Sequence, residues 1–345
     1  MWHVGLDVHW RTSTGCILDE NGREVKTATV KGGWDKMLAW LDREVRRPFA
    51  ICYEASCGYG ALYDRLRLKA SRVVVAHPGQ VRLIFRAKRK TDRIDARKLA
   101  RLLFLDAVPP VYVPSADVRS WRRLIETRRR LVAKRTRAKN GLRSLLRSHG
   151  VRPPMRGLWT RRGLAWLREA SWPSEGAALE RDLLLEELET LAEQVHRVTR
   201  VLDRLGRGHP GVMLLRTIPG VGPRTAEAVV AYIDVPDRFA DSRQVGAYFG
   251  LVPRQDQSAA VNRLGHITKE GPPSVRHLVV ESSWQVIRRS PTARARFQRI
   301  SGGQKERRKI ALVAVGHWLV RCMHAMLRTG ECWRESVPAA SSAAA

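Results

Sequence analysis

The sequence predicts an α/β fold at its amino-terminal end and a mainly helical remainder. Up to Val30, short apolar runs alternate with turn residues, which is typical of an antiparallel meander. Further along, apolar runs of strand length alternate with patterns of helical period, which indicates a mixed sheet covered by helices. From about residue 117 helical periodicity prevails. A chain of 345 residues with 44% hydrophobic side chains can bury two or three separate cores.

The first domain is predicted to span residues 1–110. The strings VGLDV, TSTGCILD and REVKTATV are expected strands, with DENG as a turn. Next we expect a helix at about 34–46, the strand PFAICYE, a helix near 60–69 and the strand RVVVAHP, which ends in a turn. The string KTDRIDARKLARLLFL predicts a helix from Thr91 onward that the Pro109–Pro110 pair terminates.

The middle region, residues 111–205, is predicted to be a basic helical coiled coil. One long helix is expected from about 117 to 150, and a second, acidic in its first half, from Glu175 to Leu205. Their opposite charges favour antiparallel pairing as an arm, and such arms commonly dimerise. The proline-containing stretch between the two helices is a predicted elbow.

Residues 206–335 predict a further, mainly helical domain. In the string TIPGVGPRTAEAVV a glycine turn links two helical segments, which is similar to a helix-hairpin-helix. Backbone N–H groups at Gly220 and Gly222 would approach a phosphate, with Arg224 at the next helix start. An ordinary turn between packed helices is the alternative. The alanine- and serine-rich residues 336–345 are expected to be disordered.

The composition points to a polyanionic partner. Lysine and arginine number 63 against 33 acidic residues, a formal net charge of +30 that favours nucleic acid. The apolar runs are shorter than a membrane span and the amino terminus lacks a signal-peptide pattern, so we expect a cytoplasmic protein without a membrane partner. The five cysteines contain no CxxC pair and are expected to be reduced thiols without a zinc site.

Four carboxylates are candidate metal ligands and catalytic residues. Asp7 lies on the first strand, Glu54 ends another strand, and Asp92 and Asp95 share one face of a helix. Convergent carboxylates repel unless cations neutralise them, and they suit Mg²⁺ or Mn²⁺, with two ions about 3.5 to 4 Å apart for phosphodiester cleavage. Each acid taken alone could instead be a strand end, a cap or a partner of nearby bases. Their joint placement on a meander-first sheet favours the site of a ribonuclease-H-like nuclease.

A polar stretch near residue 258 is a weaker candidate. Ser258 is expected in a loop before five basic or imidazole side chains, and a serine near cations can act as a nucleophile toward phosphate. An ordinary turn serine is the alternative. The five side chains are Arg263, His266, Lys269, Arg276 and His277. The histidines, His9 among them, show no ligand spacing and are assigned no metal.

The first long helix is a candidate phosphate-binding surface because its cations lie on more than one face. A charged coiled-coil exterior is the alternative. The cations are Arg122, Arg123, Arg128, Arg129, Arg130, Lys134, Arg135, Arg137 and Lys139. Among the eleven tryptophans, Trp159, Trp166 and Trp172 in the elbow could stack on bases, although most tryptophans are expected in cores or helix interfaces.

Several strings together resemble the DEDD transposases of the insertion sequence one-ten family, the bridge-RNA-guided recombinases, over nearly the whole chain. GLDVHWRTSTGCILDENG is similar to the opening strand of that family, YEASCGYG to its glutamate motif and KTDRIDARKLA to its paired-aspartate helix. IPGVGPRTA, FADSRQVGAYFGLVPRQDQS and RLGHITKEG resemble its C-terminal transposase domain.

The resemblance implies a RuvC-like first domain, a coiled-coil insertion and a second catalytic domain in which Ser258 is the nucleophile. It also implies covalent attachment of DNA to the serine and a Holliday-junction-like intermediate. The implied partners are donor and target DNA, a structured bridge RNA and further copies of the chain, as a dimer or tetramer. Ala259 departs from a frequent glycine, and the 268–272 segment, TKEGP, departs from Ser-Lys-x-Gly-Asn.

Three functions compete at this point. The first is an RNA-guided, serine-assisted recombinase, the second a RuvC-like junction resolvase or nuclease that uses carboxylates alone, and the third a non-catalytic basic scaffold. Two acids in the strongly basic KTDRIDA segment oppose polyanion binding unless a metal bridges them, which argues against the scaffold.

Overall fold

The computed structural model describes residues 1–56, 58–84, 91–258 and 261–335. The chain divides into two units, Met1–Arg119 and Ser120–Ala345. Cys57, Ala259 and the predicted disordered tail at 336–345 lie outside the described residues. The other four cysteines are free thiols.

A five-stranded mixed sheet forms the centre of the first unit. Its strands are β1 (Trp2–Val8), β2 (Thr12–Leu18), β3 (Glu24–Lys31), β4 (Phe49–Glu54) and β5 (Arg72–Ala76). They lie in the order β3-β2-β1-β4-β5. β1 pairs antiparallel with β2 and parallel with β4, so the predicted antiparallel meander and mixed sheet are confirmed.

Alternation along β1 gives the sheet two buried faces. On one face Val4 and Leu6 pack with α1 (Trp34–Glu44) and α2 (Tyr59–Leu66). On the other face α4 (Asp92–Phe104) covers β1 and β2, so the sheet is the middle of three layers.

Two helices of this unit differ from the prediction. Helix α3 (Pro78–Ile84) follows β5 where the sequence predicts only a turn. It buries a single side chain, Val81, and therefore leaves little periodic signal. Helix α4 starts as predicted, with the Thr91 hydroxyl accepting a hydrogen bond from the Ile94 N–H at 3.3 Å. It ends at Phe104, well before the Pro109–Pro110 pair that is predicted to terminate it. Asp106 then adopts a left-handed φ of 49°, which takes the chain out of the helix.

Two long helices of the second unit pair antiparallel, as predicted. They are α5 (Ala116–Ser148) and α7 (Glu175–Arg207). Arg128 Nε donates to Thr199 Oγ1 at 2.9 Å, and a Cβ on Gly141 would lie 3.2 Å from Leu184. Within the described residues no close ion pair joins α5 to α7, so side-chain packing and this hydrogen bond are the direct contacts between them.

A small separate core lies at the far end of this helix pair. Leu142 of α5 and Leu185 of α7 pack there with Leu167 of a further helix, α6 (Arg161–Glu169). The sequence predicts only an elbow at this place, because α6 is short and lies between prolines. Between Ile125 and Ala138, a stretch that is described throughout, α5 buries no side chain.

The rest of the second unit is a helical core with one β-hairpin. Its helices are α8 (Pro210–Leu215), α9 (Pro223–Ile233), α10 (Ser242–Tyr248), α11 (Pro273–Arg289), α12 (Pro291–Ser301) and α13 (Arg308–Thr329). Strands β6 (Pro253–Ser258) and β7 (Val261–Ile267) pair antiparallel. This agrees with the predicted mainly helical C-terminal region.

Helix α13 is long and apolar enough to cross a membrane by length and composition, although the sequence predicts that the apolar run within it falls short of a span. Half of its apolar window is buried, and the helix packs against α10, α11 and α12. A core helix passes the same length test, so this is weak evidence for a membrane span.

Candidate active site

Helix α4 approaches the sheet very closely at Gly5, two residues before Asp7. A Cβ on Gly5 would lie 2.2 Å from both the Ala100 backbone N and the Ala96 backbone O. The side chains of Ala96 and Ala100 are fully buried at this contact. Since residues two apart on a strand share a face, Gly5 allows α4 to lie directly on the face that carries Asp7.

This packing brings the first turn of α4 to the end of β1. His9 Nε2 lies 3.5 Å from Asp7 Oδ2 and 3.9 Å from Asp92 Oδ1. One ligand atom from each of the three residues lies within 4.8 Å of the others. Asp7 is the most enclosed of the three, with 23% of its side chain exposed, whereas His9 and Asp92 are open to solvent.

Two other predicted carboxylates lie nearby. The parallel register of β1 and β4 ends at the pair Leu6 and Tyr53, so Glu54 follows beside Asp7 and shares its face of the sheet. Asp95 lies one turn along α4 from Asp92 and accepts a hydrogen bond from Lys98 Nζ at 3.3 Å. The structure therefore gathers Asp7 and Asp92 in one cluster, with Glu54 beside Asp7 and Asp95 held by a lysine.

The donor set fits a divalent cation. The two carboxylates offer hard oxygens, which suit Mg²⁺ and Mn²⁺, and the imidazole offers one nitrogen, which a transition metal such as Mn²⁺ accepts more readily than Mg²⁺. A cation would also relieve the repulsion between the clustered acids. The sequence assigns His9 no metal, whereas the structure places its imidazole in the same cluster as Asp7 and Asp92 and makes it a candidate ligand. Its signal was the Asp7-x-His9 spacing, which puts both side chains on one face at a strand end.

Ser258 lies at the end of β6 in a hairpin, where the sequence predicts a loop. It is exposed and pairs with Val261 across the hairpin. Apart from Pro253 the strand PRQDQS is polar, so it has no apolar face and alternation gives no signal for it. Arg263 faces Asp256 two positions from Ser258 and on the same side of the ribbon.

The other cations expected near Ser258 lie elsewhere. Lys269 follows the opposite end of the hairpin, next to the pair Pro253 and Ile267. Arg276 Nη1 donates to the carbonyls of Phe249 and Glu270 and so closes a loop. Arg263 is therefore the predicted cation that the hairpin brings closest to the serine.

The glycine turn lies between α8 and α9, and its two glycines have different roles. Gly220 has a φ of 97°, and a Cβ there would lie 2.7 Å from the α11 backbone at Val286, so this position needs glycine for packing. Gly222 is the exposed N-cap of α9 and its Cβ position is open. Its backbone is therefore accessible, while Gly220 serves the core.

Arg224 starts α9 as predicted, but its guanidinium faces inward. Nη2 donates to Asp203 of α7 and lies 2.9 Å from Glu227 Oε1. Burial raises the pKa of Glu227 to about 7, against the attraction of Arg224. The guanidinium thus ties α9 to α7.

The basic helix α5 uses some of its cations internally. Arg122 Nε donates to the Ala231 carbonyl at 2.7 Å and stacks on Tyr232, and Arg128 is half-buried against α7. Arg129 pairs with Glu126 on the same helix. Four exposed cations at helical spacing form a single stripe, which we call the α5 stripe. They are Arg123, Arg130, Lys134 and Arg137.

The elbow tryptophans pack mainly on the small core at the end of the arm. Trp159, Trp166 and Trp172 are partly buried there. Lys139 and Arg143 lie over the Trp159 ring at 4.9 and 5.2 Å. These contacts agree with the expectation that most tryptophans lie in cores or helix interfaces.

Comparisons with known proteins agree over most of the chain. Residues 4–150 match a family model described as a transposase and named DEDD_Tnp_IS110, and residues 212–298 match one described as "Transposase IS116/IS110/IS902 family". A "Probable family 20 transposase" of Pseudomonas aeruginosa is 30% identical over 71% of this chain and 74% of its own length. A "Transposase for insertion sequence element IS1328" of Yersinia enterocolitica is 26% identical over 77% of this chain and 79% of its own length. A "Putative transposase y4qE" of Sinorhizobium fredii is 30% identical over 81% and 70%.

Proposed function

This chain belongs to the IS116/IS110/IS902 family of transposases, enzymes that cleave and transfer DNA strands, and we propose that it does so with a metal-bound carboxylate site, a serine nucleophile and a guide RNA. The observation that carries the metal site is the cluster of Asp7, His9 and Asp92 at the end of β1. It forms where Gly5 lets α4 contact the sheet, so the fold itself assembles the donors.

Asp7 and Asp92 would hold a divalent cation, with Glu54 and Asp95 completing a four-carboxylate set of Mg²⁺ or Mn²⁺ ligands, two ions to a site. A bound divalent cation supplies charge neutralisation at the scissile phosphate and acidifies a bound oxygen nucleophile. Asp95 would have to exchange its contact with Lys98 for the metal. Glu54, beside Asp7 on the adjacent strand, would supply a second carboxylate ligand at the same end of the sheet.

Ser258 would supply the covalent step. Its hydroxyl oxygen attacks a phosphodiester phosphorus, a bond from serine oxygen to phosphorus forms, and the bond to one DNA hydroxyl breaks. The serine proton ends on the released DNA hydroxyl. Because one phosphoester replaces another, the reverse attack by a different DNA hydroxyl rejoins the strands without another energy source. Arg263, on the same side of the hairpin, would stabilise the charge on the phosphate.

The larger arrangement follows from the family resemblance. The sheet order β3-β2-β1-β4-β5 supports a RuvC-like fold for residues 1–110, and the antiparallel α5 and α7 support a coiled-coil insertion at 111–205. The α8–α9 turn supports a helix-hairpin-helix within a 206–335 transposase domain, with the Gly222 backbone open to phosphate. Donor DNA, target DNA, a bridge RNA and other copies of the chain are the proposed partners. A net charge of +30 favours the nucleic acids.

The test is a search for a covalent adduct. Purified protein is incubated with Mg²⁺, labelled element-end and target DNA, and RNA from the flank of the element, then denatured. We expect protein-linked DNA for the wild type and for Gln257→Ala, a neighbouring hairpin control, but not for Ser258→Ala or Asp7→Ala. Omission of the RNA should abolish the adduct.

A resolvase or nuclease without serine chemistry is the second candidate, because the carboxylate cluster lies entirely within the first unit. It predicts metal-dependent nicks in wild type and Ser258→Ala alike, with no adduct in either. If Asp7→Ala and Ser258→Ala both still cut DNA, both candidates are contradicted.

A further inference from the structure

An exposed tryptophan directly follows His9, the imidazole of the carboxylate cluster, along the chain. Trp10 is 80% exposed, the highest exposure among the large hydrophobic side chains in the described part of the chain. It follows His9, and consecutive Cα atoms lie about 3.8 Å apart. Exposing an indole removes a large apolar surface from any core, so this position carries a cost that packing does not explain.

The Trp10 ring forms one wall of an open groove. Trp34 meets it edge to face, with ring centroids 6.1 Å apart, and the Arg65 guanidinium lies 6.0 Å from the Trp34 ring. The groove has a volume of about 600 Å³, and Arg11 also lines it. It therefore combines an aromatic wall with two cations and one carboxylate, because Asp35 also lines the groove and accepts a hydrogen bond from Arg65 at 2.7 Å. Arg65 would exchange this partner for a phosphate.

Trp10 and Trp34, the two aromatic residues of the groove, are each connected to a strand that carries a candidate metal ligand. The Gly32 N–H donates to the Arg11 carbonyl at 2.8 Å, which fixes the loop after β1 against the start of α1. Trp34 reaches the loop after β4, where a Cβ on Gly58 would lie 3.0 Å from its ring. The groove thus has a fixed position relative to Asp7 and Glu54, because it borders the ends of β1 and β4.

We propose that Trp10 is a stacking platform for an unpaired base of the DNA strand that enters the carboxylate site. An aromatic face binds any base, and adjacent arginines bind the phosphates on either side of it. Stacking would hold the nucleotide next to the scissile phosphate and set which phosphate reaches Asp7. Trp10 is then a positioning residue, and Arg11 and Arg65 are phosphate contacts. This inference rests on the proposed metal site for the place of cleavage, but not for binding.

The test measures binding without cleavage. The full-length protein, in EDTA and at raised salt to suppress general electrostatic attraction, is titrated into single-stranded DNA that carries one 2-aminopurine. We expect fluorescence quenching by the wild type and by Trp10→Phe. Trp10→Ala should lose the quenching and bind about five- to a hundred-fold more weakly, the range that one stacked base provides. Leu68→Ala, which removes a side chain of equal exposure (79%) in the same unit, should bind like the wild type.

Three further measurements complete the test: binding to a duplex, binding to single-stranded RNA, and DNA cleavage in Mg²⁺. A duplex of the same sequence should show no quenching, because its bases are already stacked. Equal binding and quenching by wild type and Trp10→Ala, or quenching only with single-stranded RNA, would overturn the proposal. The readout is independent of the metal chemistry: intact quenching in a protein that never cuts DNA in Mg²⁺ would contradict the proposed function and leave the stacking platform standing.

Discussion

The contact between Gly5 and α4 makes a sharp prediction for Gly5→Ala. The added Cβ would lie 2.2 Å from the Ala100 N and the Ala96 O, and ordinary contact begins at 3.4 Å. Helix α4 must therefore retreat by about 1.2 Å, or the strand must bend by as much. Both atoms belong to the backbone, so no side-chain rotation can relieve the overlap.

The shift has consequences for stability and for activity. Overpacking of this kind costs about 1 to 3 kcal/mol of unfolding free energy. Asp92 moves with α4 while Asp7 stays on β1, and a misplacement of about 1 Å at a reacting centre can cost on the order of 100-fold in rate. We therefore expect a moderate fall in melting temperature and a much larger fall in the single-turnover rate of DNA cleavage.

Two controls separate this cause from a general effect of alanine. Gly176→Ala, on α7, meets no atom within 4 Å and should leave the cleavage rate unchanged. Ala100→Gly should not rescue Gly5→Ala, because the overlap is with the backbone of residue 100 and not its methyl group. A Gly5→Ala protein that cleaves at the wild-type rate would refute the idea that this contact positions Asp92.

Three other predictions concern the metal ligands, the buried acid and the basic helix. His9→Gln should weaken Mn²⁺ binding in calorimetry by roughly ten- to a hundredfold and Mg²⁺ binding much less, because imidazole favours transition metals. Unchanged Mn²⁺ binding would show that His9 is no ligand. Burial raises the pKa of Glu227 from 4.5 to about 7, so the stability it contributes is full below about pH 4.5 and is lost as pH rises through 7. Between pH 5 and pH 8 the free energy of unfolding should therefore fall by up to about 3 kcal/mol more in the wild type than in Glu227→Gln. The same pH dependence in both proteins would show that Glu227 is not buried as described. Replacing all four cations of the α5 stripe by glutamine should reduce the slope of log binding constant against log salt concentration by about 0.9 for each duplex phosphate that is no longer neutralised. The control Arg122→Gln should lower the melting temperature instead. An unchanged slope would show that DNA binds elsewhere.

The sequence predicts the elements of the first unit well because its strands are apolar and its turns are rich in glycine and polar residues. The alternation that marks β1 also fixes Asp7, and the Thr91 cap marks the start of α4. Short elements escaped prediction, since α3 and α6 are too short for a period to stand out. The β6–β7 hairpin escaped because its first strand is exposed throughout and, apart from Pro253, polar.

The candidate site is only partly visible in the sequence. Four acids could be singled out by type and spacing, but which of them converge depends on Gly5, whose role is a contact between residues distant along the chain. Similarly, the many arginines of α5 look equivalent in the sequence. Partners from other helices decide that Arg122 faces inward and Arg130 outward.

The arm formed by α5 and α7 is packed more tightly at its two ends than in the middle of α5. Each helix has 33 residues and so is about 50 Å long. Leucines tighten its outer end and Trp121 and Ile125 anchor its base, yet α5 buries nothing between Ile125 and Ala138. A cavity of about 430 Å³ lies beside that stretch, bordered by Val132 and Glu227. Because α5 buries no side chain over this stretch, we expect the arm to bend most easily there, with its outer end moving as a unit.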